Sequence, residues 1–159
     1  MPAFDFDFTA IDGKPLPLAG FKGRPLLVVN TASQCGFTPQ YAALENLWRT
    51  YRDRGLTVLG VPCNDFGAQE PDAPDAIQQF CETRFGVDFP LTAKVQIIGP
   101  VAHPFYRWIA SELGEGQLPR WNFHKYLISG DGSIAGTFPS RVDPMGAELT
   151  GAIEAALSG

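Results

Sequence analysis

The stretch Asn30-Thr31-Ala32-Ser33-Gln34-Cys35-Gly36-Phe37-Thr38-Pro39 decides how this chain is read, because it sets a lone thiol where a strand gives way to a helix. Before it, Pro25-Leu26-Leu27-Val28-Val29-Asn30 is a short apolar, β-branched run bounded by turn residues, which predicts a buried strand. After it, Thr38 suits an N-cap and Pro39 a first helical residue, with Tyr41, Leu44, Leu47, Trp48 and Tyr51 following at helical spacing. Cys35 is thereby predicted just ahead of a helix N-terminus, where unpaired backbone N–H groups and the helix dipole favour a thiolate over a thiol. Cysteines are commonly inert packing residues, but Ser33, Gln34 and Gly36 are loop formers, so a nucleophile is the reading to test.

Working outward, the helix is predicted from about Thr38 to Arg54, stopped by Gly55, and Leu56-Thr57-Val58-Leu59-Gly60-Val61 reads as a second buried strand. A crossover of that length makes a βαβ unit, with parallel strands and a right-handed connection. Upstream, Phe4, Phe6 and Phe8 alternate with polar residues, turn at Asp12-Gly13 and return through Leu16 and Leu18, predicting an N-terminal hairpin. Downstream, Ile77, Phe80, Cys81, Arg84 and Phe85 mark a second helix begun near Asp72 or Asp75, and a third spans Pro104 to Leu113. Tyr126-Leu127-Ile128 and Ser133-Ile134-Ala135-Gly136-Thr137 flank the turn signal Ser129-Gly130-Asp131-Gly132, and Leu149, Ile153, Ala156 and Leu157 give an amphipathic final helix. The sum is an α/β chain with helices on both faces of a central mixed β-sheet, the element order of a thioredoxin-like fold. One domain over residues 1–159 is expected.

Composition narrows the function. A formal net charge of -5, with no compensating Lys/Arg cluster, argues against a nucleic-acid partner, whose phosphates would be repelled. No apolar run reaches bilayer length and Met1-Pro2-Ala3-Phe4-Asp5 lacks a leader pattern, so a cytoplasmic protein without stable membrane association is expected. Three cysteines fit a reducing compartment in which a disulfide would be transient and catalytic. No metal or cofactor is expected: the cysteines are far apart, no Cys-x-x-Cys occurs, and His103 and His124 belong to no ligand cluster. Gly114-Glu115-Gly116 and Gly130-Asp131-Gly132 precede no predicted helix as a phosphate loop would, and read as turns.

In an open α/β sheet the loops leaving the carboxyl ends of parallel strands converge on one edge. One such loop holds Cys35; the other, residues 63–71, carries several amides and carboxylates. Trp121 and Asn122 precede a strand that, if antiparallel to these two, begins at the same edge. Side-chain amides and an indole N–H are neutral donors, able to bond a thiolate without quenching the nucleophile.

The three blocks Asn-Thr-Ala-Ser-Gln-Cys-Gly-Phe-Thr-Pro-Gln-Tyr (30–41), Val-Pro-Cys-Asn-Asp-Phe-Gly-Ala-Gln-Glu-Pro (61–71) and Trp-Asn-Phe-His-Lys-Tyr-Leu-Ile (121–128) resemble the signatures of the glutathione peroxidase family, in its cysteine-containing, non-selenium branch. The resemblance implies that Cys35 is the peroxidatic cysteine, that Gln69, Trp121 and Asn122 complete a tetrad, and that Cys81 is the resolving cysteine of thioredoxin-dependent members. It implies reduction of hydrogen peroxide and organic or lipid hydroperoxides through a Cys35 sulfenic acid, with thioredoxin recycling a Cys35–Cys81 disulfide. Two alternatives stand beside it: glutathione as reductant with Cys81 structural, and a redox sensor that relays oxidation to a partner protein. Cys81 shares a predicted inward helical face with Ile77 and Phe80, so resolving would require the second helix to unwind in part. Cys63 is read as structural, with thiol chemistry as its alternative. The chain departs from the family pattern at Asp65, where Gln is usual, and at Asp72, where Gly is usual; Asp65 brings an extra negative charge towards the site. The stretch Leu113 to Arg120 is short, which implies a monomer or small homo-oligomer.

Overall fold

The computed structural model describes residues 2–158. Its strands are β1 (Asp7–Thr9), β2 (Pro15–Pro17), β3 (Leu26–Thr31), β4 (Thr57–Pro62), β5 (Lys125–Ile128) and β6 (Ile134–Phe138), and its α-helices are α1 (Gln40–Tyr51), α2 (Pro74–Phe85), α3 (Pro104–Leu113) and α4 (Ala147–Ser158). The central sheet runs β4-β3-β5-β6. β3 and β4 are parallel, in register from Leu26↔Thr57 to Thr31↔Pro62, while β5 is antiparallel to β3 and β6 to β5. Every residue of β3 and of β4 is buried, as expected of parallel strands covered on both faces, and this is why both read as continuous runs rather than alternations.

The sheet's two faces divide the core. Leu27, Val29, Val58 and Leu127 pack with Tyr41, Leu44 and Leu47 of α1, Ile77 and Cys81 of α2, and Leu149 and Ile153 of α4. Leu26, Val28, Leu59, Val61, Tyr126 and Ile128 meet α3 through Phe105, Tyr106, Trp108 and Ile109, together with Phe4, Phe8 and Leu18 from the N-terminal segment. The mixed sheet with flanking helices is therefore as expected.

The N-terminal hairpin forms, with Phe8 opposite Leu16, but it is shorter than the alternation suggests. Phe4 lies in a 3-10 turn, Ala3–Asp5, and Leu18 opens another, Leu18–Phe21. The Ala3 amide is committed to Gly132 O at 2.8 Å, which takes the chain out of the hairpin and drops Phe4 into the core. α2 starts at Pro74 after Ala73, without a side-chain cap. α3 matches its predicted bounds and is capped by His103, whose Nδ1 accepts from Phe105 N while its ring stacks on Phe8. Among the described residues no helix is long and apolar enough to cross a membrane.

Candidate active site

The thiol loop is tighter than a simple capped helix. Thr38 does not cap α1; its Oγ1 accepts from Cys35 N at 2.9 Å and donates to Ala32 O at 2.8 Å. The hydroxyl thus clips the Cys35 turn to the end of β3, and Pro39, already helical in φ and ψ, precedes α1 instead. Successive turns link Thr38 N to Cys35 O, Gln40 N to Phe37 O and Tyr41 N to Thr38 O, so the helical winding reaches back to the cysteine. Phe37 N donates to Cys35 Sγ at 3.3 Å, which is the backbone N–H contact that stabilises charge on sulfur. Cys35 retains 7% exposure, enough for a small reactant to approach.

The loop leaving β4 is bent by left-handed backbone. Gly67 has φ +73° and Ala68 φ +51°, and the turn places Gln69 O within 3.0 Å of Gln34 N, beside Cys35 in the chain. Only glycine fits at 67, because a Cβ there would come within 2.6 Å of the Trp121 ring. Asn64 Oδ1 holds the far end of the loop by accepting from Glu70 N at 2.8 Å.

The third segment enters β5 at the same edge, since β5 is antiparallel to β3. Asn122 Nδ2 donates to Gln69 Oε1 at 3.0 Å and to Phe66 O at 3.3 Å. That occupies the Gln69 carbonyl oxygen and leaves its NH2 as a donor. Trp121 sits edge-on to Phe66, with its carbonyl held by Asn30 Nδ2 at 3.1 Å. Phe123, a bulky residue at φ +65°, is fixed by burial and by its N–H on Asn30 O. Among the described residues Ala68 and Phe123 are the non-glycine positions at positive φ, and each adjoins a predicted site residue, Gln69 and Asn122 respectively.

The structure thus brings together the loops of Cys35, Gln69, Trp121 and Asn122. Cys81 stands apart. It is a free thiol on the inner face of α2, fully buried, and burial pushes it up to about 11. Ile77 shares that face, whereas Phe80 is only partly buried. Cys63 is also free and buried, accepts from Asp65 N at 3.4 Å, and is pushed up to about 12 by desolvation. The Asp65 carboxylate accepts from the backbone amides of Ile97 and Ile98 at 2.6 and 3.0 Å, so it pins a neighbouring loop, and its charge adds to the rise at Cys63.

Several positioning residues escaped sequence reading. Lys125 looks like an ordinary strand lysine, yet it is fully buried and its Nζ donates to Gln40 Oε1, Ser140 O and Val142 O. It ties the start of α1 to the 140–142 segment; burial lowers it to about 7. No local signal marks it, because the acceptors come from distant parts of the chain. Thr38 was visible only as a cap, and Gly67 only as part of the loop over residues 63–71. Beside Phe37, a cleft of about 540 Å³ is lined by Arg120, His124, Thr137, Ser140 and Arg141 among others.

Helices on both faces of a β4-β3-β5-β6 sheet, with a thiol loop at the carboxyl end of its first central strand, define a thioredoxin-like protein. The solved structure of Trgpx in its apo form superposes with a TM-score of 0.81 at 34% identity, covering 100% of this chain and 97% of that one. The glutathione peroxidase family model matches residues 3–110, and the chain belongs to that family. A hydroperoxy fatty acid reductase, gpx1 of Synechocystis, is 46% identical over 149 residues, 89% of this chain and 88% of that protein. A glutathione peroxidase-like peroxiredoxin, gpx1 of Schizosaccharomyces pombe, is 45% identical over 135 residues, 84% and 85% of the two chains. The protein is a peroxidase, of the cysteine-containing kind: a thiol enzyme that reduces hydroperoxides.

Proposed function

We propose that Cys35 attacks the hydroperoxide and that Cys81 resolves the product. The Cys35 thiolate displaces the distal oxygen of ROOH; the O–O bond breaks, the alkoxide or hydroxide takes a proton, and sulfur is oxidised to sulfenic acid. Gln69 NH2 and the Trp121 indole N–H orient the peroxide and stabilise the departing oxygen, while Asn122, whose NH2 is spent on Gln69 Oε1 and Phe66 O, holds the Gln69 amide in place. The Cys81 sulfur then displaces hydroxide from Cys35, leaving water and a disulfide, which thioredoxin reduces. Convergence of the Cys35, Gln69 and Asn122 segments carries this reading, with the Asn122–Gln69 and Phe37–Cys35 bonds as its geometry. The cleft beside Phe37 supports organic hydroperoxides, including lipid ones, as substrates. The protein is read as a single cytoplasmic domain, a monomer or small homo-oligomer, on its length, its low cysteine count and the short Leu113 to Arg120 stretch.

One observation favours the rival in which glutathione is the reductant and Cys81 is structural: Cys81 is fully buried on a formed helix. Intact mass after one equivalent of hydrogen peroxide, with thiols blocked and mapped, separates the two. Loss of two hydrogens joining Cys35 to Cys81 is expected. A stable Cys35 sulfenic acid with Cys81 still free would favour glutathione, and an unchanged Cys35 would overturn the peroxidatic assignment. In steady state, Cys81→Ser is expected to abolish thioredoxin-linked turnover.

A further inference from the structure

Lys125 is a fully buried lysine with no carboxylate partner among the described residues. Its three ammonium protons meet three neutral oxygens: Gln40 Oε1 at 2.7 Å, Ser140 O at 3.0 Å and Val142 O at 2.7 Å. Gln40, the first residue of α1, closes the triangle by donating from Nε2 to the same Ser140 O at 2.7 Å. Residues 139–142 form a turn after β6, with Val142 N on Pro139 O at 3.0 Å, and the side-chain bonds that hold this turn to the rest of the molecule come from Lys125 and Gln40. The turn supplies Pro139, Ser140 and Arg141 to the lining of the cleft of about 540 Å³. Phe37, whose N–H bonds Cys35 Sγ, lines the same cleft, as does Arg120, which precedes Trp121. Thr137, also on the lining, is held through its Oγ1 by His124 Nε2 at 2.7 Å, so the consecutive residues His124 and Lys125 anchor the chain on both sides of Phe138.

We propose that Lys125 is a specificity-determining positioning residue: with Gln40 it holds the 139–142 turn against the start of α1, and so sets the wall of the cleft that receives the organic part of a bulky hydroperoxide. The proposal rests on Cys35 being the attacking thiol and on the cleft beside Phe37 taking the organic group. A buried cation is a poor way to add stability, since an apolar side chain of similar volume avoids the cost of desolvating the charge. What the ammonium supplies is direction. Its protons leave nitrogen at fixed angles, and acceptors on two separate segments, α1 and the turn, are thereby held at one spacing. A wall placed beforehand receives the organic group without having to be ordered at each encounter, which preserves binding energy for orientation at sulfur. Hydrogen peroxide carries no organic group and draws on the thiol loop and its donors alone. Lys125 reaches the cleft through the carbonyls of the turn, so it positions the wall and takes no part in the chemistry.

Rapid-quench oxidation of Cys35 by hydrogen peroxide and by cumene hydroperoxide, with mapped thiol blocking, tests this. In Lys125→Met, which keeps the length of the side chain and removes its protons, the ratio of the cumene hydroperoxide rate constant to that of hydrogen peroxide is expected to fall about tenfold. Gln40→Ala leaves the lysine in place and removes the bridge to Ser140 O, and should lower the same ratio by about threefold. Gln40 is half-buried, so this second variant keeps the test open should Lys125→Met fail to fold. A lysine with a structural role alone would lower the unfolding midpoint and slow both peroxides in proportion. A ratio that rises, or stays within about twofold of the unmutated value in the folded variants while hydrogen peroxide still oxidises Cys35, would overturn the proposal alone. Failure of hydrogen peroxide to oxidise Cys35 in the unmutated protein would overturn it together with the peroxidatic assignment.

Discussion

Gly67, Ala68 and Phe123 illustrate how few atoms hold the site in shape. The two non-glycine residues at positive φ flank Gln69 and Asn122, so backbone strain is concentrated where side-chain direction matters most. Gly67 is the most exposed to substitution, because a methyl group there meets a ring that cannot swing aside like the end of a flexible side chain. Gly67→Ala is expected to lower stability by about 1–3 kcal/mol through overpacking. It should also slow Cys35 oxidation roughly tenfold or more by displacing Trp121 and Gln69. Denaturant unfolding and stopped-flow oxidation check the two effects; oxidation at the normal rate would show that Trp121 placement is dispensable. Glycine at this position reads in the sequence as a turn. Its second purpose, clearance for an indole more than fifty residues away, has no local trace.

At the scale of elements, α2 is the helix that the proposed cycle requires to open, and it is thinly anchored. Only Ile77 and Cys81 are buried on it, against five residues on α1 and four on α3. Its N-terminus has no side-chain cap, and its C-terminus is closed by left-handed Gly86, whose N–H bonds Glu82 O while Val87 N bonds Cys81 O. The resolving thiol is thus tethered through its own carbonyl to the helix stop. Gly86 sits at φ +61°, so Gly86→Ala should weaken that stop by about 1 kcal/mol without a steric clash. Faster disulfide formation is then expected, with amide exchange rising over residues 77–87. Greater exchange without faster disulfide formation would show that helix opening does not limit resolution. The spacing of Ile77, Phe80, Cys81, Arg84 and Phe85 revealed this helix in advance, but not its weakness, which follows from how little of it is buried.

For the whole molecule, acid sensitivity has an identifiable origin in His124. Desolvation, with the neighbouring Lys125 charge, lowers it to about 4 from an ordinary 6.5. The unfolded chain therefore binds the proton more readily, so this stabilisation is complete above about pH 6.5 and is lost as pH falls towards 4. The window corresponds to about 3 kcal/mol. Glu70 works in the opposite sense, since a raised carboxyl favours the folded state at low pH and loses that contribution as pH rises through its folded value. His124→Gln, which keeps a polar partner for Thr137 Oγ1, is expected to flatten the stability profile between pH 6.5 and 4. An unchanged acid limb would assign the sensitivity to carboxylates instead.

What the sequence by itself determined was whatever is written in local pattern. Continuous apolar runs marked β3 and β4, helical spacing marked α1, α2 and α4, and loop residues around Cys35 marked the thiol as a candidate nucleophile; the three blocks around Cys35, Gln69 and Trp121 then pointed to the family. Hydrophobic period and turn chemistry are properties of neighbouring residues, which is why these features survive without coordinates. Only the tertiary structure decided that Thr38 clips the thiol turn instead of capping a helix, that Asp65 faces Ile97 and Ile98, and that Lys125 and Glu70 are buried. Each of those outcomes depends on which distant backbone groups supply a partner, or fail to. A polar side chain gives no local sign of whether folding will pair it, strand it or leave it in water.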